Sequence, residues 1–377
     1  MSDFKRINKD LVLLKRIGSG GMGEGFLGKL IGYGGFEKVV AVKCYYTEAS
    51  TVQQAKNFFI REATIGARLK HQNIIEIYDF GESTNSLYMS MEFVSGKQCN
   101  ELLYLLSSQD LLLPIASALY IVEMVANGLS YAHTLKNEVT DQNLNLIHRD
   151  ISPQNIMVSY EGEVKLLDFG IAKMDTSREL TPKNSVLGKH GYLAPEQVEK
   201  GISSQASDVF SLGVCLYELV TGRYLFDGDT TMEILKNNTE CIVPDNWNKE
   251  FPEELKEISA GMLEKDPLKR FSSADKFARD FASIRKKHYP NAQEELTEIM
   301  QQVFADKIIS EAQERKELWN KEEKKRENTQ KYVPEKLSKK NLSDSSQSHQ
   351  VVKLDAKSYK ETSDISFLND VGPFKKK

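Results

Sequence analysis

Six residues, Gly18-Ser19-Gly20-Gly21-Met22-Gly23, set a glycine cluster between two runs that read as strands. Leu11 to Ile17 alternates toward the cluster, and Phe26-Leu27-Gly28-Lys29-Leu30 returns from it. Without a Cβ, backbone N–H groups there can approach phosphate oxygens closely. Taken alone, the spacing fits a flexible turn or a dinucleotide site equally well. A dinucleotide site needs a helix directly after the glycines. The returning strand takes that place, so the pattern predicts a hairpin lid.

Strand-like runs continue downstream. Val39-Val40-Ala41-Val42 ends at Lys43, and Ile74–Phe80 and Leu87–Val94 flank a predicted turn, Gly81-Glu82-Ser83-Thr84-Asn85. Between them, Phe58, Phe59, Ala63, Ile65 and Leu69 predict a helix over 53–69. From Leu102 the pattern turns helical, with a long apolar helix over 115–133, a strand-rich patch over 146–167, and a nearly all-apolar helix over 209–220. Such a helix is buried on most sides. The globular pattern ends near Lys287. Residues 293–325 read as one amphipathic, then highly charged helix, with Leu296, Ile299, Met300, Val303 and Phe304 on one face. Sustained heptads are absent, which favours packing on the domain or on a partner over a coiled coil. From Asn328 the chain is rich in Ser, Lys, Asp and Gln, a composition that predicts disorder.

Composition excludes several classes. Of 377 residues, 40% are hydrophobic and 28% charged, which suits a globular protein with a real core. A net charge of -4 carries no nucleic-acid signature. The four cysteines form no CxxC pair, so neither a zinc site nor a disulfide framework is indicated. The N-terminus has no signal-peptide core, and no run approaches a membrane span. A cytoplasmic location is the expectation.

The chemistry rests on an ordered set. Lys43 ends its strand, where an ammonium can hold phosphate oxygens, and Glu62 on the following helix can pair with it. His148-Arg149-Asp150-Ile151-Ser152-Pro153-Gln154-Asn155 and Asp168-Phe169-Gly170 follow. Asp150 can accept the proton of a substrate hydroxyl. Asn155 and Asp168 are hard oxygen ligands for Mg²⁺, with Mn²⁺ as the alternative ion. Any one carboxylate is more often a surface or capping group. Together the set supplies what phosphoryl transfer requires: a positioned phosphate, charge neutralisation and an oriented nucleophile.

In this order, with Ala194-Pro195-Glu196, Asp208 and Arg270, the residues resemble the eukaryotic-like protein kinase superfamily in its bacterial serine/threonine branch. The resemblance covers residues 11–287. It implies an α+β, bilobal fold: a small antiparallel N-lobe (11–94), a mainly helical C-lobe (95–287), then a helical extension (288–327) and a disordered tail (328–377). It further implies ATP as phosphate donor, protein substrates, autophosphorylation and a signalling role. The nucleotide would be bound by Ile17, Gly18, Ser19, Gly20, Gly21, Met22, Gly23, Gly25, Ala41, Lys43, Met91, Glu92, Val94 and Met157. Met91 would gate the back of the pocket, and Glu92-Phe93-Val94 would be the hinge. His148 would stack under Phe169, Glu196 would pair with Arg270, and Asp208 would anchor the catalytic loop. Arg149 would clamp an activation-loop phosphate on Ser185, Thr181, Thr176 or Ser177. The C-terminal helix would dock on the large lobe or serve a regulatory partner, a substrate or an oligomer.

Three departures from the family pattern stand out. Gly25 replaces a valine that covers adenine, removing about 1–2 kcal/mol of nucleotide contact. Ser152 stands where a lysine meets the γ-phosphate, and Lys189 stands where a threonine follows Gly188. The ammonium and the hydroxyl have changed places between two facing loops. The expectation is compensation: Lys189 reaches Asp150 and the γ-phosphate, while Ser152 takes the hydroxyl's role. A catalytically weak, nucleotide-binding scaffold is the alternative, supported by Gly25 and Ser152.

Overall fold

The computed structural model describes residues 4–20, 23–46, 52–83, 86–169 and 187–331. The predicted disordered tail and the four candidate phosphosites lie outside them, apart from the first residues of that tail, 328–331. Strands β1 (Lys5–Arg6), β2 (Leu11–Gly20), β3 (Gly23–Ile31) and β4 (Glu37–Tyr46) precede helix α1 (Val52–Gly66), and β5 (Ile77–Ser83) and β6 (Ser86–Glu92) follow it. These strands form one antiparallel sheet in the order β1-β2-β3-β4-β6-β5. Its inner face packs Phe59 and Ala63 of α1 against Ile75, Leu87, Met89 and Met91.

Two details differ from the sequence reading. Gly81, Glu82 and Ser83 continue β5 instead of turning. Glycine suits that strand position because a Cβ there would sit 2.5 Å from the Tyr88 hydroxyl. The sheet also begins earlier than Leu11, because Lys5 pairs with Leu13 and Arg6 with Val12.

The second lobe follows directly: β7 (Gly96–Gln98), α2 (Cys99–Ser107), α3 (Ile115–Thr134), β8 (Ile156–Ser159) and β9 (Val164–Leu166). The strand patch predicted from residue 146 is strand only from Ile156, since residues 146–155 form the loop that carries the site. Then come α4 (Pro195–Lys200), α5 (Gln205–Thr221), α6 (Thr231–Glu240), α7 (Glu253–Met262) and α8 (Ala278–His288). Helix α5 starts at a reciprocal cap, with Ser204 N donating to Ser207 Oγ at 2.8 Å and Ser207 N to Ser204 Oγ at 3.3 Å. It ends at Gly222, whose φ of +67° is left-handed. Every residue from Ala206 to Val220 is buried. Helix α3 is long and apolar enough to cross a membrane, yet 78% of its apolar span is buried inside this lobe.

The C-terminal segment is two helices, not one: α9 (Ala292–Val303) and α10 (Ala305–Lys331). The break falls at Phe304, which leaves helical geometry at φ -113°, ψ 19° and buries its ring 6.0 Å from that of Tyr160. Leu296, Met300 and Phe304 are fully buried in the large core, with Ile299 and Val303 partly so. Gly162 permits this docking, because its φ is +81° and a Cβ would lie 2.4 Å from Thr297 Oγ1. The chain divides into two compact units, Met1–Lys325 and Arg326–Lys377. Of the second, the described part is the end of α10.

Candidate active site

Strands β2 and β3 bring the glycine cluster to a hairpin, with Gly18 opposite Gly25 and Gly20 opposite Gly23. Gly21 and Met22 lie outside the described residues. Gly23 has φ +130°, and a Cβ there would lie 2.2 Å from the Cys44 carbonyl oxygen, so this position admits glycine alone. Gly25 differs. Its φ is unremarkable, and a Cβ would lie 3.7 Å from Ile17 Cγ1, ordinary contact with room for a side chain. Ser19 continues β2, and Ile17 is exposed.

Register in the sheet sets the next group. Ala41 faces Met91, and Lys43 faces Met89 on β6. Met91 is buried and lines a narrow space with Glu62, Met89, Asp168 and Phe169. Glu92 donates its N–H to the Glu76 carbonyl at 2.8 Å and pairs with Lys165 at 2.7 Å. Val94 packs, partly buried, beside Met91, while Met157 pairs with Gln98 across β7 and β8.

Lys43 Nζ lies 2.6 Å from Glu62 Oε1 and 3.0 Å from Asp168 Oδ2. Burial disfavours charge on all three groups. At Lys43 burial acts downward, but Asp168 and Glu62 together carry the ammonium above its ordinary value. At Glu62 burial, reinforced by the Asp168 charge, outweighs Lys43 and lifts the carboxyl to about 7. At Asp168 burial acts upward, yet Lys43 holds the carboxyl below its usual range. One ammonium therefore serves two carboxylates, with Asp168 held below its usual range and Glu62 lifted above its own.

The loop between α3 and β8 is built around Asp208 at the start of α5. Its carboxylate accepts from His148 N at 2.7 Å and Arg149 N at 2.8 Å, and meets His133 Nε2 at 3.0 Å. Those bonds hold Arg149 at φ +69°, a conformation a non-glycine residue rarely adopts. His148 accepts from Asp150 N on Nδ1 and donates from Nε2 to the Leu167 carbonyl, so it is neutral and fully committed. Its ring lies 4.6 Å from Phe169, and burial holds its pKa down. These contacts give His148 no free nitrogen to act as a base.

Asp150 sits at the centre. Asn155 Nδ2 donates to its carbonyl at 2.6 Å, and Lys189 Nζ lies 2.7 Å from its Oδ2. Leu167 N donates to the Asn155 carbonyl at 2.8 Å, which ties Asn155 to the residue before Asp168. The hydroxyl half of the exchange does not form: Ser152 is 1% exposed, and its Oγ has no hydrogen-bond partner among the described residues. The 3-10 turn over Pro153–Asn155 starts directly after Ser152, whose hydroxyl stays buried.

Asp168, whose carboxyl Lys43 holds low, and Asn155, tied to its neighbour Leu167, offer hard oxygen donors that suit Mg²⁺ with phosphate and water completing the shell. Glu196 and Arg270 form a buried bidentate pair at 2.9 and 3.2 Å. The sequence reading missed His133, whose Nδ1 also accepts from Ala274 N, and the buried Tyr192–Glu218 hydrogen bond. Neither has a local sequence signal, because both join residues far apart in the chain.

Residues 11–282 match the protein kinase domain family. The chain is 34% identical over 279 residues to the tyrosine-protein kinase MasK of Myxococcus xanthus, covering 74% of this chain and 43% of that protein. It is 34% identical over 278 residues to the serine/threonine-protein kinase PrkC of Bacillus subtilis, covering 73% and 40%. Against the serine/threonine-protein kinase PknA of Mycobacterium tuberculosis it is 34% identical over 260 residues, covering 67% and 56%. The match thus spans between two fifths and somewhat over half of each relative's length.

Proposed function

The chain belongs to the protein kinase domain family, and on that premise we propose that it transfers the γ-phosphate of ATP to serine or threonine hydroxyls of proteins, itself included, in a signalling role. The observation that carries this reading is the joint engagement of Lys43 with Glu62 and Asp168, beside an Asp150 held by Asn155 and Lys189. Lys43 orients the nucleotide phosphates. Asp150 accepts the proton of the attacking hydroxyl, and Lys189 lies where a cation can meet the charge that develops on the transferring group. Asn155 and Asp168 would hold Mg²⁺, which when bound neutralises phosphate charge. Hinge backbone at Glu92–Val94 binds the adenine, between Ala41 and Met157.

Arg149 supports autophosphorylation. It directly precedes Asp150 in the catalytic loop, where the family resemblance puts the clamp for an activation-loop phosphate. Serine/threonine specificity follows the naming of PrkC and PknA, and MasK is named a tyrosine kinase, so the hydroxyl class is the part to test. Phosphoamino-acid analysis after labelling with radioactive ATP·Mg²⁺ decides it. Phosphoserine or phosphothreonine is expected; phosphotyrosine alone would overturn the assignment.

A further inference from the structure

Helix α10 crosses from the large lobe to the small one along a single stripe. Glu322 is buried and Glu311, Arg315, Leu318 and Trp319 are partly buried, all at helical spacing, whereas Ala312, Gln313, Lys316, Glu317 and Asn320 are exposed. At its lower end Glu311 accepts from Lys97 Nζ at 2.6 Å and from the Tyr160 hydroxyl at 2.9 Å. One turn on, Arg315 donates to Ser95 Oγ at 3.2 Å, and its guanidinium lies 5.5 Å from the Phe93 ring. These contacts fall on the hinge, on β7 just after it, and on the residue that follows β8.

The upper end grips the outer face of the sheet. Leu318 and Trp319 pack on Val12, Leu14 and Leu27. Lys29, 0% exposed, lies 4.0 Å over the Trp319 ring and pairs with Glu322 at 3.1 Å and Glu37 at 2.8 Å. A helical rise of about 1.5 Å per residue puts about 17 Å between Glu311 and Glu322. Below, α9 is embedded in the large core. The two lobes are thus joined twice, once by the hinge and once by a rigid helix outside it. Lifting α10 would bare an apolar face and strip Lys29 of one of its carboxylates, so these contacts favour the docked position.

A hinge absorbs the rotation when lobes close on a ligand. Whatever fixes Phe93, Ser95 and Lys97 therefore fixes the opening of the cleft those residues border. We propose that Glu311, Arg315 and Trp319 are positioning residues for the nucleotide, and that α10 is a strap whose docking and nucleotide binding strengthen each other. This rests on the nucleotide cleft of the reading above. Reciprocity is obligatory for binding equilibria: a strap that tightens nucleotide binding must itself be held by nucleotide.

The test uses the full chain and measures binding, not phosphate transfer. ADP·Mg²⁺ affinity is measured by calorimetry for the wild type, for Glu311→Gln with Arg315→Ala, and for Lys316→Ala as control. Lys316 is on the same helix, on its exposed face. The double variant should bind about tenfold more weakly and the control like wild type, a coupling in the ordinary range for linked sites. Amide exchange over residues 305–325 of the wild type should slow by about tenfold on adding ADP·Mg²⁺, a readout that survives if a variant fails to fold. Unchanged exchange, or wild-type affinity in the double variant, overturns the strap alone. A wild type that does not bind ADP·Mg²⁺ overturns the cleft reading and the strap with it.

Discussion

At the scale of residues, the balance of charge around Asp150 distinguishes this site. Its carboxylate meets an ammonium from the facing segment, Lys189, while position 152 in its own loop holds a buried serine. Stabilisation of developing charge depends on where the cation sits, not on which segment supplies it. Lys189→Ala should therefore lower kcat by about 10²-fold and leave nucleotide affinity nearly unchanged; steady-state kinetics with a direct binding measurement checks both, and wild-type turnover would refute the role. Gly25 yields a second prediction. The space above Ile17 accepts a side chain, so Gly25→Val should tighten ATP binding by about tenfold, an apolar contact of about 1–2 kcal/mol. An equal or larger dissociation constant would show that the lid does not roof the adenine. Lys43, Glu62, Asp150, Asn155 and Asp168 were legible in the sequence, since the chemistry admits few residue types at each place. The Ser152 hydroxyl was not, because whether it is free or buried depends on packing that no local pattern encodes.

At the scale of elements, hydrophobic periodicity located what is held by apolar burial and missed what is held by charge. Helix α5 was visible as an apolar run, and the α9 face as a stripe from Leu296 to Phe304. The stripe on α10 was not visible, for its buried positions include Glu322 and its partly buried ones Glu311 and Arg315. Charged residues are covered only when partners are supplied from elsewhere, here Lys29, Lys97 and Ser95. The same reasoning gives a stability prediction at the junction of α4 with the loop before α8. Arg270 is 4% exposed and spends its guanidinium on Glu196 and on the carbonyls of Ala206, Glu264 and Lys265. Glu196→Ala leaves that charge buried beside carbonyls alone, and should cost about 3–5 kcal/mol. Thermal unfolding reads this as a large fall in Tm; a shift of a degree or less would mean that the carbonyls suffice.

At the scale of the whole molecule, an antiparallel lobe and a helical lobe meet along a cleft whose two walls contribute different parts of the chemistry. Lys43 and Glu62 come from the sheet and its helix, Asp150 and Asn155 from the loop anchored by Asp208, and Asp168 from the segment after β9. That division was readable from the order of motifs along the chain, since strand-borne residues precede loop-borne ones. The second connection between the lobes was not, because it depends on where α10 turns after Phe304. In the proposed reaction this assembly transfers phosphate with Asp150 as the group that receives the hydroxyl proton. The direct measurement is phosphate transfer from labelled ATP·Mg²⁺ to a basic protein, comparing wild type with Asp150→Asn at matched ADP affinity. Transfer by the wild type and a loss of about 10²–10⁴-fold in the variant, the range of a positioned general base, are expected. Equal transfer by both, or none by a wild type that still binds ADP, would contradict the proposed reaction.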